Sequence, residues 1–283
     1  MKTQKPTRTI LKYPGSKFRI SDWVISHFPK HKIYAELFGG SGAILFQKVP
    51  SVTEVFNDLD DEVTNFFEVL RDPYKKEILK ELIYLTPYSR REHEKSWEPG
   101  KDEIDQARKF IIRSIFNIAK GPFYRSGFDS RINPDFICSR QRTLNAIPEV
   151  LDAYSERLRS VIIEHKDYYP LLQQFDSPDT LFYLDPIYLD TTARYSLKFT
   201  KDDHELLLQR IKDVKGMVII SGYESKLYEN ELEGSSWQKK MHRSRTDNAH
   251  HRIECLWLNP KCAEHQKQKD LFLNTQTATH KPK

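Results

Sequence analysis

Ile33-Tyr34-Ala35-Glu36-Leu37-Phe38-Gly39-Gly40-Ser41-Gly42-Ala43-Ile44-Leu45-Phe46 decides the fold class. Ile33 to Phe38 has the apolar run of a buried strand, Gly39 to Gly42 is a tight turn, and Ala43 to Phe46 opens a helix. Glycines at such a turn let the backbone approach a ligand closely, with a helix N-terminus behind it. The spacing is not GxGxxG, and no Gly-Lys-Ser/Thr follows, so neither the dinucleotide nor the P-loop fingerprint is met. Glu36, just ahead of the glycines, disfavours a phosphate and suits a cationic or hydroxyl-bearing ligand.

Working outward, the next apolar run, Val52 to Phe56, ends in Asn57-Asp58-Leu59-Asp60. A carboxylate at the end of the second strand, about 20 residues past the glycines, is the usual partner of ribose hydroxyls. Glycines and then an acid at consecutive strand ends suit a nucleoside cofactor without a pyrophosphate, and S-adenosylmethionine fits. Farther on, Leu181-Phe182-Tyr183-Leu184 is a third buried strand, and Asp185-Pro186-Ile187-Tyr188 follows where it meets its loop. The Asp185 side chain and the Pro186 carbonyl are two acceptors beside an aromatic plate. That set suits a planar base with an exocyclic amine, whose two hydrogens the acceptors hold while Tyr188 stacks on the ring. Alone, the tetrad reads more readily as a strand-end Asp-Pro turn, and it is the rest of the chain that favours the site.

The remaining stretches divide into strand-like and helical parts. Tyr13-Pro14-Gly15-Ser16-Lys17 is a turn whose N–H groups and lysine suit a carboxylate or phosphate. From about residue 71 to 159 strand alternation disappears, and Ile104, Ala107, Ile111, Ile115 and Ile118 mark a helix. Between Arg113 and Arg142 stand six Lys/Arg (113, 120, 125, 131, 140, 142) against two acids (129, 135), an excess that favours a polyanion. Within it, Lys120-Gly121-Pro122-Phe123-Tyr124-Arg125 interleaves bases and aromatics, a finger suited to phosphate contact and to stacking on or wedging between bases. Strands return at Val161-Ile162-Ile163 and at Met217 to Ser221; a helix is expected over residues 202–214; Trp237 to His242 and Glu254 to Asn259 close the sheet. The basic, histidine-rich stretch His242 to Arg252 suits a DNA contact or a cofactor cover, and the polar tail after Pro260 is expected to be disordered.

Composition is consistent with this. The chain has 283 residues, 38% hydrophobic, with a net charge of +5. Three cysteines (Cys138, Cys255, Cys262) make no even disulfide framework, which points to a reducing cytoplasm, and with His265 they lack finger-like spacing, so no metal is expected. No apolar stretch approaches the roughly 20 residues of a membrane span.

In this order the motifs resemble those of the Dam-type DNA adenine-N6 methyltransferases, which include bacteriophage members. Tyr13 to Lys17 resembles the N-terminal cofactor motif, Glu36 to Gly42 the glycine motif, Asp58 the ribose acid, Asp167-Tyr168 the adenine-holding segment, and Asp185 to Tyr188 the catalytic Asp-Pro-Pro-Tyr. Asp203-His204-Glu205, Ser221-Gly222-Tyr223 and Leu256 to Asn259 also match family segments. The resemblance implies an α/β, Rossmann-like class I S-adenosylmethionine-dependent methyltransferase sheet with an inserted, mainly helical target-recognition domain. Residues 1–70 and 160–260 would form the catalytic domain, 71–159 the DNA-binding insert and 261–283 a tail. The implied cofactor residues are Tyr13, Gly15, Lys17, Glu36, Phe38, Gly39, Gly40, Gly42, Asp58, Asp167, Tyr168 and Asp185; the catalytic ones are Asp185, Pro186 and Tyr188. Asn117, Lys120, Phe123, Tyr124, Arg125 and Arg131 are the implied DNA contacts. The substrate would be double-stranded DNA and the protein a monomer or weak dimer in a bacterial or phage-infected cell. Ile187 stands where the family has proline, which restores an N–H and some freedom in φ, so a less rigid catalytic loop is expected. Methylation of cytosine N4, of RNA or of a protein glutamine amide competes with this reading, as does a DNA-binding protein that has lost turnover.

Overall fold

The computed structural model describes residues 6–119, 121–135, 137–189, 191–232, 236–245 and 251–262. A short 3-10 turn, Lys17–Ile20, leads into α1 (Ser21–Ser26) and then the strand–turn–helix unit β1 (Ile33–Glu36) and α2 (Ala43–Gln47). β2 (Thr53–Asn57) follows, then α3 (Asp61–Arg71), whose start is fixed by the Asp60 side chain accepting from the N–H groups of Glu62 and Val63. Four more helices come before the next strand: α4 (Pro73–Tyr84), α5 (Arg90–Lys95), α6 (Glu103–Phe116) and α7 (Ser139–Leu158). The chain then alternates through β3 (Val161–Glu164), α8 (Tyr168–Gln174), β4 (Thr180–Leu184), α9 (Lys201–Arg210), β5 (Met217–Tyr223) and α10 (Lys226–Leu232), and ends in the ribbon β6 (Gln238–Arg245) and β7 (His251–Leu258).

The seven strands form one sheet in the order β3-β2-β1-β4-β5-β7-β6. The first five in that order are parallel; β7 is antiparallel to β5 and β6 to β7. From β1 the chain winds outward to β2 and β3, then crosses back to start again at β4 on β1's other side. Adjacent strands leaving in opposite directions open a crevice at their carboxyl ends, and ligands bind there in open α/β sheets. Here that crevice lies between the glycines after β1 and Asp185 after β4.

Both faces of the sheet are covered, which explains why its strands are continuous apolar runs rather than alternating ones. Along β4, Leu181 and Tyr183 enter one core while Phe182 and Leu184 enter the other. The second core holds α8, α9 and α10 residues such as Leu171, Leu207 and Tyr228. The first also takes Leu79, Ile83, Phe110, Ile111, Ile115, Leu144 and Leu151, so three of the four helices of the middle segment, α4, α6 and α7, share a core with the sheet. A buried ionic cluster ties the end of that segment down. Arg157 donates to Glu54 at 2.8 Å and to the Leu45 carbonyl at 3.1 Å, and Lys48 pairs with the same Glu54.

Among the described residues no helix is long and apolar enough to cross a membrane. Cys255 and Cys262 lie in opposite cores. The tail from residue 263 onward, His265 included, and residues 246–250 of the basic, histidine-rich stretch lie outside the described residues.

Candidate active site

The glycine turn is built by backbone bonds between the first two strands. Gly39 N donates to Asn57 O at 2.8 Å, and Gly42 N to Gly39 O at 2.8 Å. Gly42 caps α2 at φ 63°, a left-handed conformation that favours glycine. At Gly39 the demand is steric: a Cβ would lie 2.2 Å from Phe56 Cε2. Asp58 clamps the turn from the end of β2. Its Oδ2 accepts from Gly40 N at 2.6 Å and its Oδ1 from Asp60 N at 2.9 Å. Burial raises the Asp58 pKa to about 6, against the pull of those two N–H groups. Glu36 closes β1 just ahead of the turn. It is 2% exposed and turned inward, with Oε2 accepting from the Tyr34 hydroxyl at 2.7 Å and from Leu45 N at 2.9 Å. Burial pushes its pKa up to about 8, so at neutral pH this carboxyl is largely protonated.

Across the crevice, Asp185 is held from two sides. Ser221 of β5 donates to Oδ1 at 2.8 Å, and Lys17 Nζ lies 2.9 Å from Oδ2. Lys17 is 5% exposed, donates to the Gly15 carbonyl, lies 3.5 Å from Glu254 of β7, and sits 4.7 Å from the centre of the Tyr188 ring. Burial works to lower its pKa, but Asp185 and then Glu254 hold it above the usual lysine value. Glu254 also accepts the Tyr188 hydroxyl, and the Tyr188 and Tyr223 rings meet edge to face at 4.6 Å. Burial raises the Glu254 pKa, with Lys17 acting in the opposite sense.

The loop after Asp185 has its own brace. His204 of α9 donates from Nε2 to the Ile187 carbonyl at 3.0 Å and accepts at Nδ1 from the Tyr228 hydroxyl at 2.8 Å. Only the neutral imidazole can do both. Its 1% exposure agrees with that state, since burial lowers its pKa to about 4. The freedom expected of Ile187 is therefore countered by a side chain from a neighbouring helix.

The family model of the D12 class N6 adenine-specific DNA methyltransferases matches residues 13–246. The chain belongs to that family. It is an adenine-specific DNA methyltransferase that uses S-adenosylmethionine. No curated protein matches it. Among solved structures, precorrin 8w decarboxylase from Methanobacterium thermoautotrophicum aligns over 84% of this chain and 88% of its own, with 7% identity and a TM-score of 0.35, a likeness that carries no argument.

The methyltransferase's crevice suits the cofactor chemically. A Cβ at Gly40 would meet Tyr13 Cε1 at 2.9 Å, so the glycine lets that ring pack directly on the turn. Asp58 is a carboxylate fit for hydroxyls, Lys17 a buried cation fit for a carboxylate, and Phe38 and Tyr168, 5.3 Å apart, form an aromatic wall. Tyr13, Gly15, Lys17, Gly39, Gly40, Gly42, Asp58, Asp185, the buried Pro186 and Tyr188 thus converge on one sheet edge. Asp167, beside that wall, is exposed and caps α8 by accepting from Tyr169 N.

The residues expected to touch DNA are more scattered. Lys120 lies outside the described residues. Asn117 is fully buried: it donates to the Gly121 and Tyr124 carbonyls and accepts from Ser126 and His93, so it shapes the loop from within. Phe123 turns toward the cofactor motif, edge-on to Tyr13 at 5.3 Å. An apolar ring in a polar loop gains by being buried, and the rings of Tyr13, Phe110 and Tyr195 all lie within reach. Tyr124 and Arg125 are exposed, with Arg194 3.9 Å over the Tyr124 ring. Arg131, which is exposed, and Arg140 pair with Asp129, and Arg113 pairs with Glu62, so half of the six basic residues counted in this stretch have a carboxylate partner. Sequence reasoning passes over Glu254 and Tyr195, whose ring lies 6.2 Å from Tyr13. For Glu254 a signal exists: it is the acid at the head of the apolar run Cys255-Leu256-Trp257-Leu258.

Proposed function

We propose that this methyltransferase takes a flipped-out adenine between Asp185, the Pro186 carbonyl and Tyr188, and that Tyr13, Lys17, the glycine turn, Phe38, Asp58 and Tyr168 hold the cofactor beside it. The observation that carries this reading is Asp185: a carboxylate held by Ser221 and Lys17, across the sheet's switch point from the glycine turn. Each of its oxygens has one donor and keeps a further lone pair for an N6–H. Bound S-adenosylmethionine supplies the electrophilic methyl group. The protein's own task concerns the adenine nitrogen, whose lone pair is delocalised into the ring and poorly nucleophilic. Accepting both amine hydrogens, at Asp185 and at the Pro186 carbonyl, favours a pyramidal nitrogen whose lone pair is directed rather than conjugated. Because these acceptors are fixed before reaction, little reorganisation opposes the step. Tyr188 offers the face of its ring away from Lys17 as the stacking surface, and Glu254 holds its hydroxyl.

Residues 71–159 are assigned target recognition in this reading, with Tyr124 and Arg125 as their exposed contacts. Purified protein, unmethylated DNA and labelled cofactor, followed by nucleoside mass analysis, test the catalytic assignment. Wild type is expected to yield N6-methyldeoxyadenosine. Asp185→Ala should lose transfer by about 10³-fold or more, a scale set by loss of a preorganised polar contact, while retaining cofactor and DNA binding. Normal turnover by that variant would remove Asp185 from the mechanism.

A further inference from the structure

The β6–β7 ribbon outruns the sheet. Tyr223, the last residue of β5, pairs with Glu254 of β7, and Glu254 with His242 of β6. Past that rung the ribbon goes on without β5 through the pairs Arg243–Ile253, Ser244–Arg252 and Arg245–His251. Three rungs at about 3.4 Å each carry it roughly 10 Å beyond the catalytic edge. It starts from the residue that holds Tyr188, so it rises at the mouth through which a base must enter.

The ribbon's root is fixed and its arm is basic. His242 stacks on Trp23 of α1 at 4.8 Å with 28° between the rings. Residues 238–252 contain five Lys/Arg (239, 240, 243, 245, 252) and one acid, Asp247. Lys239, below the catalytic edge, is paired with Glu229. Among the described residues neither Lys240 nor Arg243 has a carboxylate partner, and Arg243 and Met241 are exposed. Arg243 and Arg245, two positions apart on one strand, share a face. An arginine without a carboxylate partner, such as Arg243, does nothing for folding where it stands beyond an apolar sheet edge. Beside a site that must hold a nucleotide out of its duplex, the basic positions of the ribbon match the phosphodiester charge on either side of it.

We propose that the β6–β7 ribbon is a second DNA-docking element, which grips the backbone next to the extruded adenine independently of the helical segment. The substrate is the DNA that the family acts on; the new statement is where the protein holds it. The test uses the full chain carrying Arg243→Ser and Arg245→Ser together, with Lys32→Ser, at the opposite sheet edge, as control. Binding to duplex DNA is followed by fluorescence anisotropy across a salt series, beside steady-state methylation and cofactor binding. Each lost phosphate contact lowers the slope of log K against log salt by about 0.9. The double variant should therefore lose between one and two units of slope and raise KM for DNA, with kcat and cofactor affinity unchanged. Arg243→Lys with Arg245→Lys should restore the slope. A wild-type slope and KM in the double serine variant would overturn the proposal. So would a matching loss of cofactor affinity, which would make the ribbon a cofactor cover.

Discussion

Replacing Glu36 with glutamine keeps the size of a fully buried carboxyl and the oxygen that accepts from Tyr34 and Leu45, but removes its proton equilibrium. In the folded protein burial raises the Glu36 pKa from 4.5 to about 8. In the unfolded chain it stays at its ordinary value, so above pH 4.5 folding must take up a proton. The sign follows: this carboxyl costs nothing below pH 4.5, and its cost grows until the pH passes 8. At 1.36 kcal/mol per unit the cost is about 3 kcal/mol at pH 7 and nearer 5 above pH 8. Glu36→Gln has no such term, and every other titrating group is common to both proteins. The difference between their stabilities should therefore widen by about 3 kcal/mol, in favour of glutamine, between pH 4.5 and 7. Urea unfolding of both proteins at several pH values measures it directly. A difference that stays constant from pH 5 to 8 would mean that Glu36 is ionised within the fold, and the inward-turned carboxyl would then be misread.

Two further substitutions probe the catalytic loop. His204→Phe fills the space but leaves the Ile187 carbonyl without its donor, so kcat should fall about tenfold, the worth of one hydrogen bond of about 1.4 kcal/mol. Because burial lowers the His204 pKa from 6.5 to about 4, wild type loses stability as pH falls through that window; the phenylalanine variant should be spared about 3 kcal/mol of that loss, seen as a flatter acid limb in thermal or urea unfolding. Lys17→Met removes the cation shared by Asp185 and Glu254, and single-turnover methylation should slow by about 10- to 100-fold, the range of a charge-assisted hydrogen bond; an unchanged single-turnover rate would detach Lys17 from the reaction centre.

The sequence makes the crevice legible because each of its walls is local. Strand, glycine turn and helix lie within residues 33–46, and Asp185 directly follows an apolar run, so period and turn chemistry suffice to find them. What brings Lys17, Asp185 and Glu254 together is the strand order, which no local pattern encodes. The same limit explains the middle segment. The helical spacing of Ala107, Ile111 and Ile115 shows an apolar stripe but not what it packs on, and the structure gives it a core shared with the sheet. A count of basic residues likewise treats Arg113 and Arg140 as surface charge, although both are largely buried against carboxylates. Their partners Glu62 and Asp129 become visible only in the fold.

The contact between Lys17 and Glu254 joins the first motif of the chain to its last strand. During synthesis the glycine turn leaves the ribosome early, and helices of the middle segment have time to settle on β1 and β2. Glu254 is still untranslated at that stage, and Tyr188, once made, has no partner for its hydroxyl. A nascent or prematurely terminated chain could thus present a cofactor crevice without a finished seat for the base.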